Sequence, residues 1–214
     1  MSEDLAAQIQ RRATRVGVAL SREVAERLGA YVGLLTKWNT RLNLTALELE
    51  PMADVSVDRL LIEPLVAAQL LRTTDQLLVD IGSGGGSPAI PLKLAAPAIQ
   101  MVLVESKTRK SAFLREAVRQ LELADVEVET GRLESLAERG RLSDSADVAT
   151  LRAVRADAAL WKAVTGILRP GGRVLWFGAV ETDGSSIAPP LRLVEMRTLM
   201  PESSNGLAVL ERQD

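Results

Sequence analysis

Leu77-Leu-Val-Asp-Ile-Gly-Ser-Gly-Gly-Gly86 is an apolar run that ends in four glycines within five positions. A second apolar run, Met101–Val104, leads to Glu105, nineteen residues after the last glycine. A buried strand, a glycine turn, a helix beginning at Pro88 and a second strand with an acid at its tip form the outline of a nucleotide-binding half-domain. Glycines permit positive φ and let backbone N–H groups approach a ligand, while the acid can accept hydrogen bonds from ribose hydroxyls. The segment therefore predicts a ligand-binding loop, and the alternative is a tight connection without a ligand.

The spacing of the glycines narrows the class of ligand. Gly82, Gly84 and Gly86 are spaced two and two, whereas the dinucleotide fingerprint is G-x-G-x-x-G, so a nicotinamide-dependent oxidoreductase is disfavoured. The G-x-G-x-G spacing is typical of S-adenosylmethionine-dependent methyltransferases, whose ligand has no pyrophosphate. Asp80 suits this cofactor, because its carboxylate can face a cationic amino-acid end through backbone groups or water.

Composition excludes several kinds of chemistry. The 214 residues include no cysteine and no histidine, so disulfides, thiolate metal sites and histidine-dependent hydrolytic triads are ruled out, and we expect no metal. The net charge of −2, from 26 basic and 28 acidic side chains, argues against a uniformly basic surface but permits a local basic face.

The chain also lacks the pattern of a membrane protein. No apolar stretch approaches the roughly 18 residues of a transmembrane span, and the first residues, Met1-Ser-Glu-Asp-Leu5, are acidic where a signal peptide would be basic. We therefore expect a cytoplasmic protein without a membrane partner, and we expect it to be a monomer.

The first 75 residues are predicted to form a helical lobe packed on the core. Ser21 is a suitable N-cap for an amphipathic helix that ends near Asn39–Asn43. Its apolar face consists of Val24, Leu28, Tyr31, Leu35 and Trp38. Weaker helical patterns cover residues 3–15 and 53–63, and Pro64 is expected to end or kink the second of these.

From Gln76 to residue 214 the pattern predicts an α/β fold, a Rossmann-like domain with a mostly parallel seven-stranded sheet. Strands are predicted at 77–81, 101–104, 126–130, 147–151 and 173–178. Helices are predicted at 88–96, 107–122, 134–139 and 156–168. Arg169–Gly172 is predicted to be a turn, and Glu181–Ser186 is linker-like. The runs Leu191–Met200 and Leu207–Glu211 are predicted to form an antiparallel C-terminal hairpin at one edge.

Five ordered blocks of sequence carry a resemblance to a known family. They are Leu35-Thr-Lys-Trp-Asn39 with Leu42-Asn-Leu-Thr45; Asp80-Ile-Gly-Ser-Gly-Gly-Gly-Ser-Pro-Ala-Ile-Pro91; Glu105-Ser106 with Arg109-Lys110 and Phe113-Leu114-Arg115; Gly131-Arg132-Leu133-Glu134; and Leu151-Arg152-Ala153-Val154. From about Tyr31 to Ala179 the chain resembles the bacterial ribosomal RNA small-subunit methyltransferase G family, also called glucose-inhibited division protein B.

The resemblance implies a class I methyltransferase that transfers a methyl group from S-adenosylmethionine to N7 of a guanine in the 530 loop of 16S rRNA. The implied partner is 16S rRNA or the small ribosomal subunit. The residues expected at the cofactor are Gly82, Gly84, Gly86, Ser87, Glu105, Leu133, Glu134 and Arg152. Among these, Leu133 and Glu134 would flank the adenine, although packing alone also explains Leu133. Arg152 would lie at the floor of the cleft, near both the cofactor and the target base.

The sequence also bears on how the reaction would work. Guanine N7 carries a lone pair and no proton, so the reaction needs alignment more than a general base. Arg152 is the best positioning candidate, and Asn39 and Asn43 either assist it or merely cap their helix. The residues expected to meet RNA phosphates are Lys107, Arg109, Lys110 and Arg115. The run from Lys107 to Lys110 has an alternative interpretation as a solvated helix start.

Two departures from the family pattern leave other functions open. Ser87 stands where the family usually has a bulky apolar or aromatic residue. Arg59-Leu-Leu-Ile-Glu-Pro64 stands where the family has R-H-x-L-D-S, so only Arg59 and perhaps Glu63 carry over. The alternatives are an RNA-binding ribosome-assembly factor with a weakened cofactor site, and a methyltransferase acting on a different small molecule or a protein.

Overall fold

The computed structural model describes residues 2–155, 157–178, 187, 189–201 and 206–214. The linker-like stretch predicted at 181–186 lies outside these residues. The helices are α1 (Ser2–Arg15), α2 (Arg22–Leu42), α3 (Asp54–Val57), a π-helical turn (Asp58–Ile62), α4 (Glu63–Ala68), α5 (Ala89–Ala95), α6 (Thr108–Gln120), α7 (Leu133–Glu138) and α8 (Ala158–Ile167). The strands are β1 (Leu77–Ile81), β2 (Gln100–Glu105), β3 (Val126–Thr130), β4 (Ala146–Arg152), β5 (Leu168–Phe177), β6 (Leu191–Thr198) and β7 (Gly206–Arg212).

The strands form one seven-stranded sheet in the order β3-β2-β1-β4-β5-β7-β6. Strands β1 to β5 are parallel, whereas β7 is antiparallel to both β5 and β6. The predicted fold class and the C-terminal hairpin are therefore confirmed. The order reverses between β1 and β4, and this is where open α/β sheets bind ligands, beyond the carboxyl ends of the strands.

Two hydrophobic clusters cover the two faces of the sheet. One contains buried side chains of α1, α2, α5 and α6 together with sheet residues such as Leu78 and Leu103. The other packs α7 and α8 against Val79, Val104 and Leu151. The N-terminal helices thus share a core with one face of the sheet. The boundary predicted between residues 75 and 76 stays a prediction.

Ser21 caps α2 as predicted, with its side chain accepting a hydrogen bond from the Val24 N–H at 3.2 Å. Of the two alternatives predicted for Pro64, an end or a kink of the helix, the end is excluded, because helical structure continues from Asp54 to Ala68. The backbone accommodates Pro64 by a π-helical turn over Asp58–Ile62.

The turn predicted at Arg169–Gly172 lies within β5. Ala146 pairs with Leu168, and Val148 then pairs with Arg173, so β5 advances five residues while β4 advances two. The extra residues bulge out of the ladder, which is how turn-forming residues fit inside a strand. Among the helices that the structure describes, none is long and apolar enough to cross a membrane.

Candidate active site

The glycine loop leaves the sheet at the carboxyl ends of three strands. Ile81 lies beside Val104 in β2 and beside Leu151 in β4, so the residues that follow these strands meet at one edge. The Gly82 N–H donates to the Val104 carbonyl at 2.8 Å, which turns the chain across the end of β2. Gly82 has a φ of 72°, a conformation that glycine adopts without strain.

Glu105 supports this loop from the tip of β2. Its carboxylate accepts hydrogen bonds from the N–H groups of Gly84 at 2.9 Å and Lys107 at 2.7 Å. The side chain therefore joins the loop to the start of α6. The Ser106 hydroxyl also lies within a long hydrogen-bond distance of Oε1, at 3.5 Å. A carboxylate offers about four acceptor positions, so these bonds leave capacity for a hydroxyl group of a ligand.

Two cavities meet at Gly82. The first, which we call the arginine cavity, has a volume of about 380 Å³ and is lined by Gly82, Gly84, Ser87, Lys110 and Arg152, among others. The second, which we call the Leu133 cavity, has a volume of about 400 Å³, and its lining includes Gly82, Gly131, Leu133 and Glu134. Gly82 therefore belongs to the lining of both cavities.

Asp80 lies beneath the loop and is 1 % exposed. The Thr150 hydroxyl donates to its Oδ1 at 2.5 Å, while its Oδ2 accepts no hydrogen bond from the part of the chain that the structure describes. Burial raises the pKa of Asp80 to about 6, and hydrogen bonding and Arg152 oppose this. A buried carboxylate with a free oxygen is suited to a cationic group or a hydrogen-bond donor of a ligand.

Arg152 ends β4 and is held from several sides. It forms an ion pair with Glu63 at 2.7 Å, donates to the Arg59 carbonyl, and lies 3.3 Å from the Ser87 hydroxyl oxygen. Its guanidinium carbon lies 4.5 Å from the centre of the Phe177 ring, within the range of a cation–π interaction. Burial lowers the pKa of Arg152, and the charge of Glu63 opposes this. The contacts fix the guanidinium at the wall of the arginine cavity.

Pro64 explains why backbone carbonyl groups at this wall can accept hydrogen bonds from side chains. Residue 64 would donate its N–H to the Leu60 carbonyl in an α-helix and to the Arg59 carbonyl in a π-helix, but proline has no N–H. The Ser87 hydroxyl donates to the Leu60 carbonyl at 2.8 Å, and Arg152 donates to the Arg59 carbonyl. Two residues of the cleft thus take over bonds that Pro64 cannot make.

Helix α2 also contributes to the site, because Leu35 lines the arginine cavity and Tyr31 contacts the glycine loop. The hydroxyl of Tyr31 is buried and donates to the Gly85 carbonyl at 2.7 Å, and burial raises the pKa of Tyr31. The sequence pattern counted Tyr31 only as part of an apolar face. The sequence did contain a signal for this hydrogen bond. Tyr31 is the one tyrosine in the chain, and a tyrosine hydroxyl needs a partner when it is buried.

Asn39 caps its helix and does not face the cleft with its amide. Its Oδ1 accepts from the N–H groups of Leu44 at 2.7 Å and Thr45 at 3.0 Å, and its Nδ2 donates to the Thr45 carbonyl at 3.0 Å. Asn43 is the C-cap in the left-handed conformation, with a φ of 47°. The capping alternative is therefore the one that the contacts favour for both residues.

The remaining predicted site residues are distributed over several surfaces. Gly86 is packed against α5, since a Cβ there would lie 2.5 Å from Ile90 Cδ1. Lys107 is exposed at the N-cap of α6, and Lys110 lines the arginine cavity. Arg115 lies apart from the cleft, because its guanidinium donates to the Val128 carbonyl at 3.0 Å and to the Thr130 hydroxyl at 2.8 Å.

Arg109 lines a third cavity, of about 400 Å³, between α2 and α6.

Within the described ranges of the chain, no three histidine, cysteine, aspartate or glutamate side chains are grouped so that they could hold a metal ion.

Comparison with known proteins identifies the family. Residues 24–183, three quarters of the chain, match the family model for rRNA small subunit methyltransferase G. The chain belongs to this family. The ribosomal RNA small subunit methyltransferase G of Stenotrophomonas maltophilia is 36 % identical over 200 residues, covering 89 % of this chain and 85 % of the relative. The protein of the same name from Syntrophotalea carbinolica is 35 % identical over 168 residues, covering 78 % and 75 %.

Solved structures agree with the fold. A putative O-methyltransferase from Klebsiella pneumoniae superposes with a TM-score of 0.60 at 15 % identity, covering 86 % of this chain and 90 % of the other. At this level of identity the match supports the class I methyltransferase fold.

Proposed function

We propose that this chain transfers a methyl group from S-adenosylmethionine to N7 of a guanine in the 530 loop of 16S rRNA. The observation that carries the proposal is the placement of Gly82 between two cavities, one lined by Leu133 and Glu134 and the other by Arg152. Membership of the methyltransferase G family supports the substrate. One cavity has room for the adenosine and the other for the methyl donor and the target base.

The residues present fit the cofactor. Asp80 Oδ2 is buried without a hydrogen-bond partner among the described residues, which suits the ammonium group of the amino-acid end directly or through water. Glu105 keeps acceptor capacity for the ribose hydroxyls, and Leu133 offers an apolar surface to the adenine, with Glu134 beside it. Gly82 and Gly84 let the backbone approach the ligand closely. Ser87 would contact the cofactor through a small polar side chain.

The reaction places modest demands on the protein. When bound, S-adenosylmethionine supplies a methyl group on a positively charged sulfur. Guanine N7 attacks with its own lone pair, so the chain must hold the base in line and no general base is required. We assign this positioning to Arg152, whose N–H groups suit the guanine O6 acceptor. Its pairing with Glu63 lowers the net charge beside a base that becomes positive as the methyl group is transferred.

The basic residues around the cleft are proposed to contact rRNA phosphates. Lys110 lines the arginine cavity, Arg109 directly precedes it in α6, and Lys107 is exposed at the start of the same helix. Arg115 was expected in this set, and its contacts with β3 make it the weakest candidate. Since the proposed substrate is a ribosomal subunit or its RNA, we place the protein in the cytoplasm, and we retain the expectation of a monomer.

Two measurements test the proposed function. The first maps N7-methylguanine in 16S rRNA from a strain lacking this protein and from the same strain after it is restored. Loss and recovery at one guanine of the 530 loop are expected. The second is calorimetry with S-adenosylmethionine, where absence of binding at millimolar ligand would favour an assembly factor over an enzyme. Recovery of methylation at another position would contradict the choice of the 530 loop.

A further inference from the structure

The cavity that Arg109 lines is a groove between the last turns of α2 and the length of α6. We call it the Trp38 groove. Its volume is about 400 Å³. Its lining includes Lys37, Trp38, Arg41, Arg109, Glu116 and Gln120. Three of these side chains are cationic and one is an aromatic ring, which is the combination that binds single-stranded nucleic acid.

The cations of the groove are available to a ligand. Lys37, Arg41 and Arg109 are exposed, and none of their three side chains forms a hydrogen bond or a salt bridge within the ranges that the structure describes. Glu116 is the one acid in the lining. It accepts hydrogen bonds from Arg119 and Gln120, which lower its pKa to about 2, so its charge is engaged on its own helix. The groove is left with an excess of positive charge.

Trp38 is held in place by the core and still lines the groove. One contact is with Phe113, in an edge-to-face arrangement with ring centres 5.8 Å apart. The side chain is half-buried, so part of the indole remains accessible. A rigid, partly exposed indole offers a surface for stacking at little cost in conformational entropy.

The two helices that form the Trp38 groove, α2 and α6, each also contribute a residue to the lining of the arginine cavity. Leu35 of α2 lines the arginine cavity, and Trp38, one turn further along the same helix, lines the groove. Lys110 and Arg109 are consecutive in α6 and line the arginine cavity and the groove respectively. A nucleic acid strand with one base in the arginine cavity therefore has its neighbouring nucleotides beside the groove.

We infer that the Trp38 groove binds the rRNA strand that flanks the target guanine, with one base stacked on Trp38 and phosphates contacted by Lys37, Arg41 and Arg109. The inference rests on the proposed function, which supplies RNA as the substrate. It adds a second RNA-binding surface, between α2 and α6, separate from the residues that contact the cofactor. It also gives a role to the Lys-Trp-Asn element, where Asn39 caps the helix and Lys37 and Trp38 face the groove.

The test uses the full chain and small subunits from a strain that lacks it. Lys37→Ala and Arg41→Ala are each expected to weaken subunit binding about 3- to 10-fold and to lower the slope of log affinity against log salt by about 1. Lys162→Ala is the matched control, because Lys162 is an exposed helical lysine on the opposite face of the sheet, and it should change neither quantity. Unchanged affinity in both groove variants would overturn the inference.

Trp38 is tested by two substitutions and a crosslink. Trp38→Leu should weaken binding at least 5-fold, whereas Trp38→Phe, which keeps a ring, should stay within about 2-fold of the wild type. A merely structural effect of the substitution would appear as a lower affinity for S-adenosylmethionine, measured by calorimetry, and as a lower melting temperature. If Trp38→Leu lost cofactor affinity and subunit affinity equally, Trp38 would be a packing residue and the stacking role would be wrong.

Ultraviolet irradiation of the wild-type complex should leave a nucleotide adduct on the peptide that contains Trp38. Crosslinking of that peptide to a ribosomal protein, or no adduct at all, would overturn the inference. These results are distinguishable from failure of the proposed function, which would appear as wild-type protein that binds subunits and transfers no methyl group.

Discussion

The carboxylate of Glu63 at the start of α4 and the guanidinium of Arg152 at the end of β4 form an ion pair of 2.7 Å. The Glu63 side chain is 4 % exposed and the Arg152 side chain 16 %. The pair joins the N-terminal helices to the strand that carries the proposed positioning residue. Removing one partner of such a pair leaves the other charge buried, so the effect on catalysis and the effect on stability must be separated.

Arg152→Met is expected to reduce methyl transfer about 100-fold, because the target base loses the group that positions it. The same change should lower the free energy of unfolding by up to about 3 kcal/mol, since the buried Glu63 carboxylate loses its ion pair with Arg152. Glu63→Gln combined with Arg152→Met should restore most of this stability and none of the activity. Urea denaturation and a single-turnover methylation assay on small subunits provide the two readouts. Wild-type activity in the double variant would show that Arg152 acts only in folding.

Ser87 and Pro64 are expected to be energetically coupled through the Leu60 carbonyl. Ser87→Ala removes the donor at 2.8 Å and should cost about 1 kcal/mol. In a Pro64→Ala background, residue 64 regains an N–H that can donate to the same carbonyl, so Ser87→Ala should cost less. A double-mutant cycle by denaturant unfolding measures the coupling, which we expect to exceed about 0.5 kcal/mol. Additive effects would mean that the two positions are independent.

The parts of the site that could be predicted are those that local sequence encodes. The run Leu77–Ile81 with its glycines specifies a buried strand and a turn by hydrophobicity and backbone freedom alone. The strand ends then bring Gly82, Gly131 and Arg152 to one edge, because parallel strands share a direction. Leu133 and Glu134, which line one cavity, were expected there from the family resemblance and not from the strand pattern.

The parts that could not be predicted depend on contacts between distant residues. The carbonyl groups around Pro64 are satisfied by Ser87 and Arg152, which lie 23 and 88 residues further along the chain. No local pattern reports such a bond. Lys110 and Arg109 are neighbours in sequence, yet the rotation of the helix directs them to different cavities.

Asp80 is expected to make stability and cofactor binding respond to pH in opposite directions. Its pKa is raised to about 6 in the folded protein, so the folded state holds this proton more tightly than the unfolded state does between about pH 4 and 6. The contribution of Asp80 to stability is therefore present at about pH 4 and is lost as the pH rises through 6. Affinity for S-adenosylmethionine should instead rise over the same interval, because the ammonium group favours the ionised carboxylate.

The control variant is Asp80→Asn, whose side chain does not titrate in this range of pH. The difference in unfolding free energy between wild type and variant should change by on the order of 2 kcal/mol between pH 4 and 6. Calorimetry at several pH values should show the wild-type affinity falling up to 10-fold per unit below about pH 6, while the variant binds weakly at every pH. A wild-type affinity that does not vary from pH 5 to 7.5 would show that the ammonium group of the cofactor does not lie near Asp80.

The basic residues of α6 are expected to differ in their contribution to RNA binding according to where their side chains point. Arg109→Glu and Lys110→Glu should each weaken binding to small subunits and lower the salt slope, because both side chains line cavities beside the cleft. Arg115→Ala should leave the salt slope unchanged and lower the melting temperature, because it removes hydrogen bonds to Val128 and Thr130. Filter binding between about 50 and 200 mM salt measures the slopes. A reduced slope for Arg115→Ala with unchanged melting would show that Arg115 leaves β3 to contact phosphate in the complex.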